Sequence, residues 1–308
     1  MDAFKLGIQN YKLAKYDAAL DQFYTAFSAT QSITQRAEIL NLIGEAHLMT
    51  DNPIDALSDF QNAYFQKGDD SMRLWSLANV SRAYTFLKNK DSAHIALSDA
   101  LGISGMVRSS LIRAFYHEAK AEFAETMKDK SIALDSALGS LGEYRNDHPF
   151  RPVLEARLKI AQAESHMREE SYTSAWHLFG EITDLGNLHE MPPVSVLAQM
   201  GLGRAEQSSG HANSWRTHYQ NAARASGINL DPYHLAAVVL EYASYGKEEF
   251  DESEPLLDLA NELATKTKLD THGLRSLWPE LRKVKGTLQA EDLPIPSALQ
   301  KHIFNPAQ

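Results

Sequence analysis

A small residue, followed by an aromatic or Leu four positions later and another small residue three after that, recurs along this chain. No other feature of the sequence restricts its fold as much. The stretch KYDAALDQF, from Lys15 to Phe23, opens the first copy, which comprises Ala19, Phe23 and Ala26. Aligning later copies on the first small position gives Ala19, Ala56, Ala93, Ala133, Ala175, Trp215 and Ser253, at intervals of 37, 37, 40, 42, 40 and 38 residues. Offsets of zero, four and seven fall on one face of an α-helix. Twelve residues before the anchors stand Gly7, Gly44, Ser81, Ala121, Ala163, Gly203 and Glu241, six of them small. Each repeat therefore predicts a first helix with a small contact point and a second helix whose aromatic fills the space beside it.

Breakers punctuate this pattern. Asp51-Asn52-Pro53 predicts an N-cap pair followed by proline at a helix start. Asp231-Pro232 repeats that logic, and prolines 149, 152, 192 and 193 separate repeats. No period-two alternation is long enough for a strand. Beyond the seventh repeat, Leu274, Leu277, Trp278, Leu281, Val284 and Leu288 form a further helical stripe with Arg275, Arg282, Lys283 and Lys285 on its other face. It predicts a cap over the last repeat, or a helix that docks a partner or second subunit. The tail carries Pro294, Pro296 and Pro306 and is expected to be extended.

The repeat resembles the tetratricopeptide repeat family, whose signature is a Leu-Gly pair in the first helix and Ala, Phe and Ala in the second. Leu6-Gly7, Ala19, Phe23 and Ala26 match it, as do Ile43-Gly44, Ala56, Phe60 and Ala63, while repeats four to seven are degenerate. The long period is similar to that of sensor domains of bacterial transcription activators and cytoplasmic peptide-pheromone receptors. The resemblance implies an all-α, right-handed superhelix of about seven hairpins over residues 1–265, with a capping helix at 266–290 and a tail at 291–308. It implies a protein- or peptide-binding scaffold. The alternative is the sensory half of a transcription-regulation system that binds a peptide or protein effector.

Several chemistries lack their motifs. There is no phosphate-binding loop and no nucleophile elbow. There is no cysteine, so thiol catalysis and cysteine-ligated metals are excluded. His47 and His166 stand where the family places an aromatic and are expected to pack between helices. The expectation is a chain that is not an enzyme and has no cofactor and no metal. With 30 Lys and Arg against 40 Asp and Glu, the net charge is −10, a poor match for nucleic acid. No run is apolar enough to span a membrane, and the N-terminus has no signal-peptide pattern, so a cytoplasmic location is expected.

The family resemblance places one row of first-helix residues on the concave face. Along that row the middle repeats carry Asn41, Glu45, Arg82, Glu118, Glu122, Glu125, Glu164 and Arg204, which are the candidate partner-binding residues. An asparagine can grip an extended peptide backbone. Glu118, Glu122 and Glu125 share a stripe at i, i+4 and i+7, which suggests a partner with a basic segment. Both ends of the row are apolar, with Phe4, Ile8 and Tyr11 at one and Val238, Tyr242 and Tyr245 at the other. Such an end is expected to be covered by another subunit, giving a homodimer, or by the chain's own tail.

Overall fold

Gly7 leaves no room for a side chain: a Cβ added there would stand 2.6 Å from carbons of the Phe23 ring. Gly44 is equally crowded by Phe60, and Gly203 by Tyr219. These contacts are the small-to-aromatic pairing of the repeat, made within three hairpins. The anchors Ala19, Ala56, Ala93 and Ala175 have no exposed surface, and Ala133 is also buried. In the fourth repeat Ala137 replaces the aromatic, and Leu134 and Leu141 are buried beside it on the same helix.

The computed structural model of the chain describes residues 2–66, 68–210, 214–228 and 238. Among them there are helices and no strand. Apart from Val238, the seventh repeat lies outside the described residues, as do the cap expected at 266–290 and the tail expected at 291–308. The chain divides into two compact units, Met1–Ser165 and His166–Gln308.

In the first unit, four hairpins follow one another: α1 (Ala3–Lys12) with α2 (Tyr16–Ala29), α3 (Ile33–Met49) with α4 (Pro53–Phe65), α5 (Asp70–Phe86) with α6 (Lys90–Ser104), and α7 (Ser110–Phe123) with α8 (Met127–Glu143). Helix α9 (Arg151–Arg168) follows. Neighbouring hairpins share their cores. Leu48, Ala56 and Phe60 of the second pack with Val80, Ala83 and Ala96 of the third. The second unit holds α10 (Tyr172–Leu188), α11 (Pro192–Ser208) and α12 (Trp215–Ile228). Here Gly201 takes the Phe179 ring of α10, and Gly203 takes the Tyr219 ring of α12. Two glycines two positions apart thus let α11 be gripped by rings from both neighbours.

The turns carry a second repeat signal. Ala14, Asp51, Lys88, Glu170 and Gly210 all have positive φ, between 56° and 81°, and each stands five residues before an anchor. After the first four, the next amide donates to the carbonyl five residues back, as in Asn52 N to His47 O at 2.9 Å. That bond closes the first helix of each pair. Pro53 begins α4 as expected, but Asn52 does not cap it with its side chain. Its amide donates instead to Thr50 Oγ1 at 3.2 Å, and Asp51 has the left-handed turn conformation.

Candidate functional site

Four of the eight candidate residues, Asn41, Glu45, Arg82 and Glu118, are buried in the first unit, where Arg82 pairs with Glu45 and Glu118 and reaches Asn41 through Asn79. Asn41 donates from Nδ2 to Ala37 O and to Ser76 Oγ, both at 3.0 Å, and accepts from Asn79 Nδ2 at 3.1 Å. Both amide hydrogens are used internally, which removes the expected grip on a peptide backbone. Glu45 has no exposed surface, and Arg82 and Glu118 are 4% exposed. The expectation of an open polar groove therefore fails for these four. The reason is geometric: α3, α5, α7 and α9 converge closely enough for their polar rows to meet.

The charges form one network. Arg82 Nη1 donates to Glu45 Oε1, and Arg82 Nε donates to Glu122 Oε2 at 3.1 Å. Arg157 Nη1 reaches Glu45 Oε2 at 2.6 Å, and its Nη2 reaches Glu118 Oε2 at 2.7 Å. The guanidinium of Arg157 thus bridges carboxylates on two helices, the fork geometry that arginine provides and lysine lacks. Burial would raise the Glu45 pKa, but Arg157 and Arg82 outweigh it and hold the carboxyl below its usual range. Burial also raises Glu118; the two arginines offset this only in part, and Glu122 and Glu45 add to the rise. Burial lowers both arginines, and the surrounding acids more than reverse it.

An aromatic chain adjoins the network. Phe150, fully buried just before α9, has its ring centroid 5.1 Å from Tyr11 and 6.2 Å from Phe115. Phe115 stacks on Trp75 at 4.6 Å, and the Arg157 guanidinium lies 5.7 Å from the Phe150 centroid. His148 Nε2 donates to Glu38 Oε1 at 2.9 Å, and its Nδ1 accepts from the Phe150 amide at 3.2 Å. Ile8 and Tyr11 are buried here, so they do not form the exposed apolar end expected at the N-terminus. Burial and the nearby Glu45 charge push the Tyr11 hydroxyl far above its ordinary pKa.

The remaining candidates are more open. The Glu122 side chain is 32% exposed, and Glu125 is 71% exposed beside Lys90 at 3.3 Å. Glu164 is half-buried on α9, and Arg204 is half-buried on α11 of the second unit. Arg157 was missed by the sequence reading. It stands seven residues before Glu164, so extending the row by two turns would have found it.

His47 and His218 each join two helices. His47 Nδ1 lies 2.7 Å from Asp59 Oδ2, joining α3 to α4. In the second unit, His218 of α12 meets Gln199 Oε1 at 2.9 Å and Glu206 Oε1 at 3.2 Å, and Trp176 donates to the same Glu206 oxygen at 3.2 Å. Burial would raise the Glu206 pKa, but the bonds from Ser214, His218 and Trp176 and the charge of His218 bring it down. Among the described residues, no group of three or more His, Asp or Glu could hold a metal ion. No described helix is long and apolar enough to cross a membrane.

No family model matches the chain. No curated protein matches it either. Solved structures do, among them the TPR2AB domain of yeast Sti1 in its pHSP90 complex. The two are 15% identical, with 92% of this chain and 96% of that chain covered, at a TM-score of 0.33.

Proposed function

We propose that the chain is a non-enzymatic scaffold that binds a peptide or protein with a basic segment, and that the partner first meets Glu122 and Glu125. One observation carries this reading: the network holds three carboxylates, Glu45, Glu118 and Glu122, against two guanidinium groups, Arg82 and Arg157. The most open carboxylate of the three, Glu122, sits next to solvent, with the still more exposed Glu125 three residues on. Among the described residues Glu125 pairs with the solvent-exposed Lys90, a pairing worth little and easily exchanged. The buried members hold this edge in place from within.

The double substitution Glu122→Gln/Glu125→Lys tests it. Glutamine at 122 keeps an acceptor for Arg82 Nε, and the Glu125 side chain is 71% exposed, so the variant should fold and melt close to the parent. Capture of basic partners from cell extract on the immobilised chain should fall at least tenfold, about 1.4 kcal/mol. The parent's capture should weaken with added salt. Unchanged capture by the folded variant would remove the edge from the binding surface. Glu118 is left out because a lysine there would face Arg82 and Arg157.

A further inference from the structure

We propose that the inner face of the first unit is a recognition seat for a helix bearing an aromatic residue and, seven positions later, an arginine, and that residues 148–157 occupy this seat in cis. The proposal rests on the scaffold reading above and adds how access is controlled: a partner enters by exchange with the start of α9.

The seat requires a guanidinium. Without Arg157, the carboxylates of Glu45, Glu118 and Glu122 would share Arg82 alone, with two of the three buried. A buried carboxylate without a counter-charge is strongly unfavourable. The two carboxylates that Arg157 bridges lie on different helices, so one planar fork serves both and a point charge does not. The aromatic half is equally specific. Phe150 packs between Tyr11 and Phe115 at the turn that opens α9, and the Arg157 guanidinium lies 5.7 Å from its ring, so both face the same side.

The occupant is also built to leave. The connection of residues 144–150 between α8 and α9 is seven residues long, the longest between successive described helices. The outer tether, His148 to Glu38, is made by side chains 18% and 22% exposed. With Nδ1 accepting from the Phe150 amide, Nε2 is the ring nitrogen that carries the hydrogen to Glu38, so a single bond makes the tether. Arg157 keeps 17% of its side chain exposed, so its bridge is not sealed from solvent and a competing guanidinium can reach it.

The test uses the chain's own segment as the probe. A labelled synthetic peptide of residues 144–159 is titrated by fluorescence anisotropy against the full chain, the His148→Ala variant and the Phe150→Ala/Arg157→Gln variant. The parent should bind weakly, the tether variant at least threefold more tightly, and the emptied seat at least tenfold more tightly. The same peptide carrying Arg157→Lys should lose at least tenfold on the emptied seat. Equal binding by all three chains, or equal binding of the arginine and lysine peptides, would overturn the proposal. If the double variant fails to fold by circular dichroism, His148→Ala decides alone: no gain over the parent overturns it. Failure here with salt-sensitive capture at Glu122 and Glu125 intact would leave the scaffold reading standing and remove only the seat.

Discussion

Gly44 and Gly139 are both helical glycines, and the structure assigns them opposite consequences. Gly44 lies against the Phe60 ring, whereas a Cβ at Gly139 would meet nothing within 4 Å. Gly44→Ala should cost about 1–3 kcal/mol through overpacking. Gly139→Ala should gain roughly 0.5–1 kcal/mol from helix propensity. Urea unfolding of the two variants beside the parent checks both signs. Glu45 and Glu118 make a second contrasting pair. The Glu45 pKa is lowered by folding, so its contribution is present above the ordinary carboxylate range and is lost as pH falls through the lowered value. The Glu118 pKa is raised, so its contribution is full below the ordinary range and is lost as pH rises through the raised value. Glu118→Gln should therefore flatten the fall in stability above about pH 4.5, the ordinary value. Glu45→Gln should instead flatten the loss on acidification. Denaturant titrations at a series of pH values separate the two, and an unchanged profile in Glu118→Gln would refute the first expectation.

At the scale of elements, the anchor position need not mean the same thing in every hairpin. Ala56 is the fourth residue of α4, but Trp215 is the first residue of α12. At this helix start Trp215 is buried, with its ring 5.8 Å from Tyr219. Ala56→Trp should destabilise by about 1–3 kcal/mol. Trp215→Ala should cost about 3–5 kcal/mol by leaving a cavity. Thermal melts of both variants check this, and a parent-like melt for Ala56→Trp would mean that α3 and α4 pack otherwise. The hairpins were legible in the sequence because Gly7 with Phe23 and Gly44 with Phe60 are contacts within one helix pair, set by local periodicity. The closure of the inner face was not legible. Glu45 and Arg157 are 112 residues apart, and no helical period says how closely α3 and α9 approach. The structure brings Asn41, Glu45, Arg82, Glu118 and Glu122 of the candidate row together. What the row could not supply was their burial, because burial depends on Phe150 and Arg157 arriving from a later repeat.

For the molecule as a whole the net charge is −10, and in the first unit three carboxylates, Glu45, Glu118 and Glu122, gather around Arg82 and Arg157. That gathering bears on how the chain folds. An array of hairpins touching only sequence neighbours behaves as a one-dimensional stack, able to fray from either end. The first unit is tied across long loops, by Glu38 to His148 over 110 residues and Glu45 to Arg157 over 112. Long loop closure slows folding because its entropy is lost before the contacts form, and once formed it couples distant segments. Native-state hydrogen exchange should therefore give α1–α4 and α7 one shared opening free energy in the parent. In Arg157→Ala the α1–α4 amides should open first and separately. A parent whose α1–α2 hairpin already exchanged far more readily than α7 would show that the tie does not couple them. The polar network thus converts what the repeat pattern would make a zipper into a closed ring of contacts, in which the first hairpins to be synthesised gain their full protection only when α9 arrives.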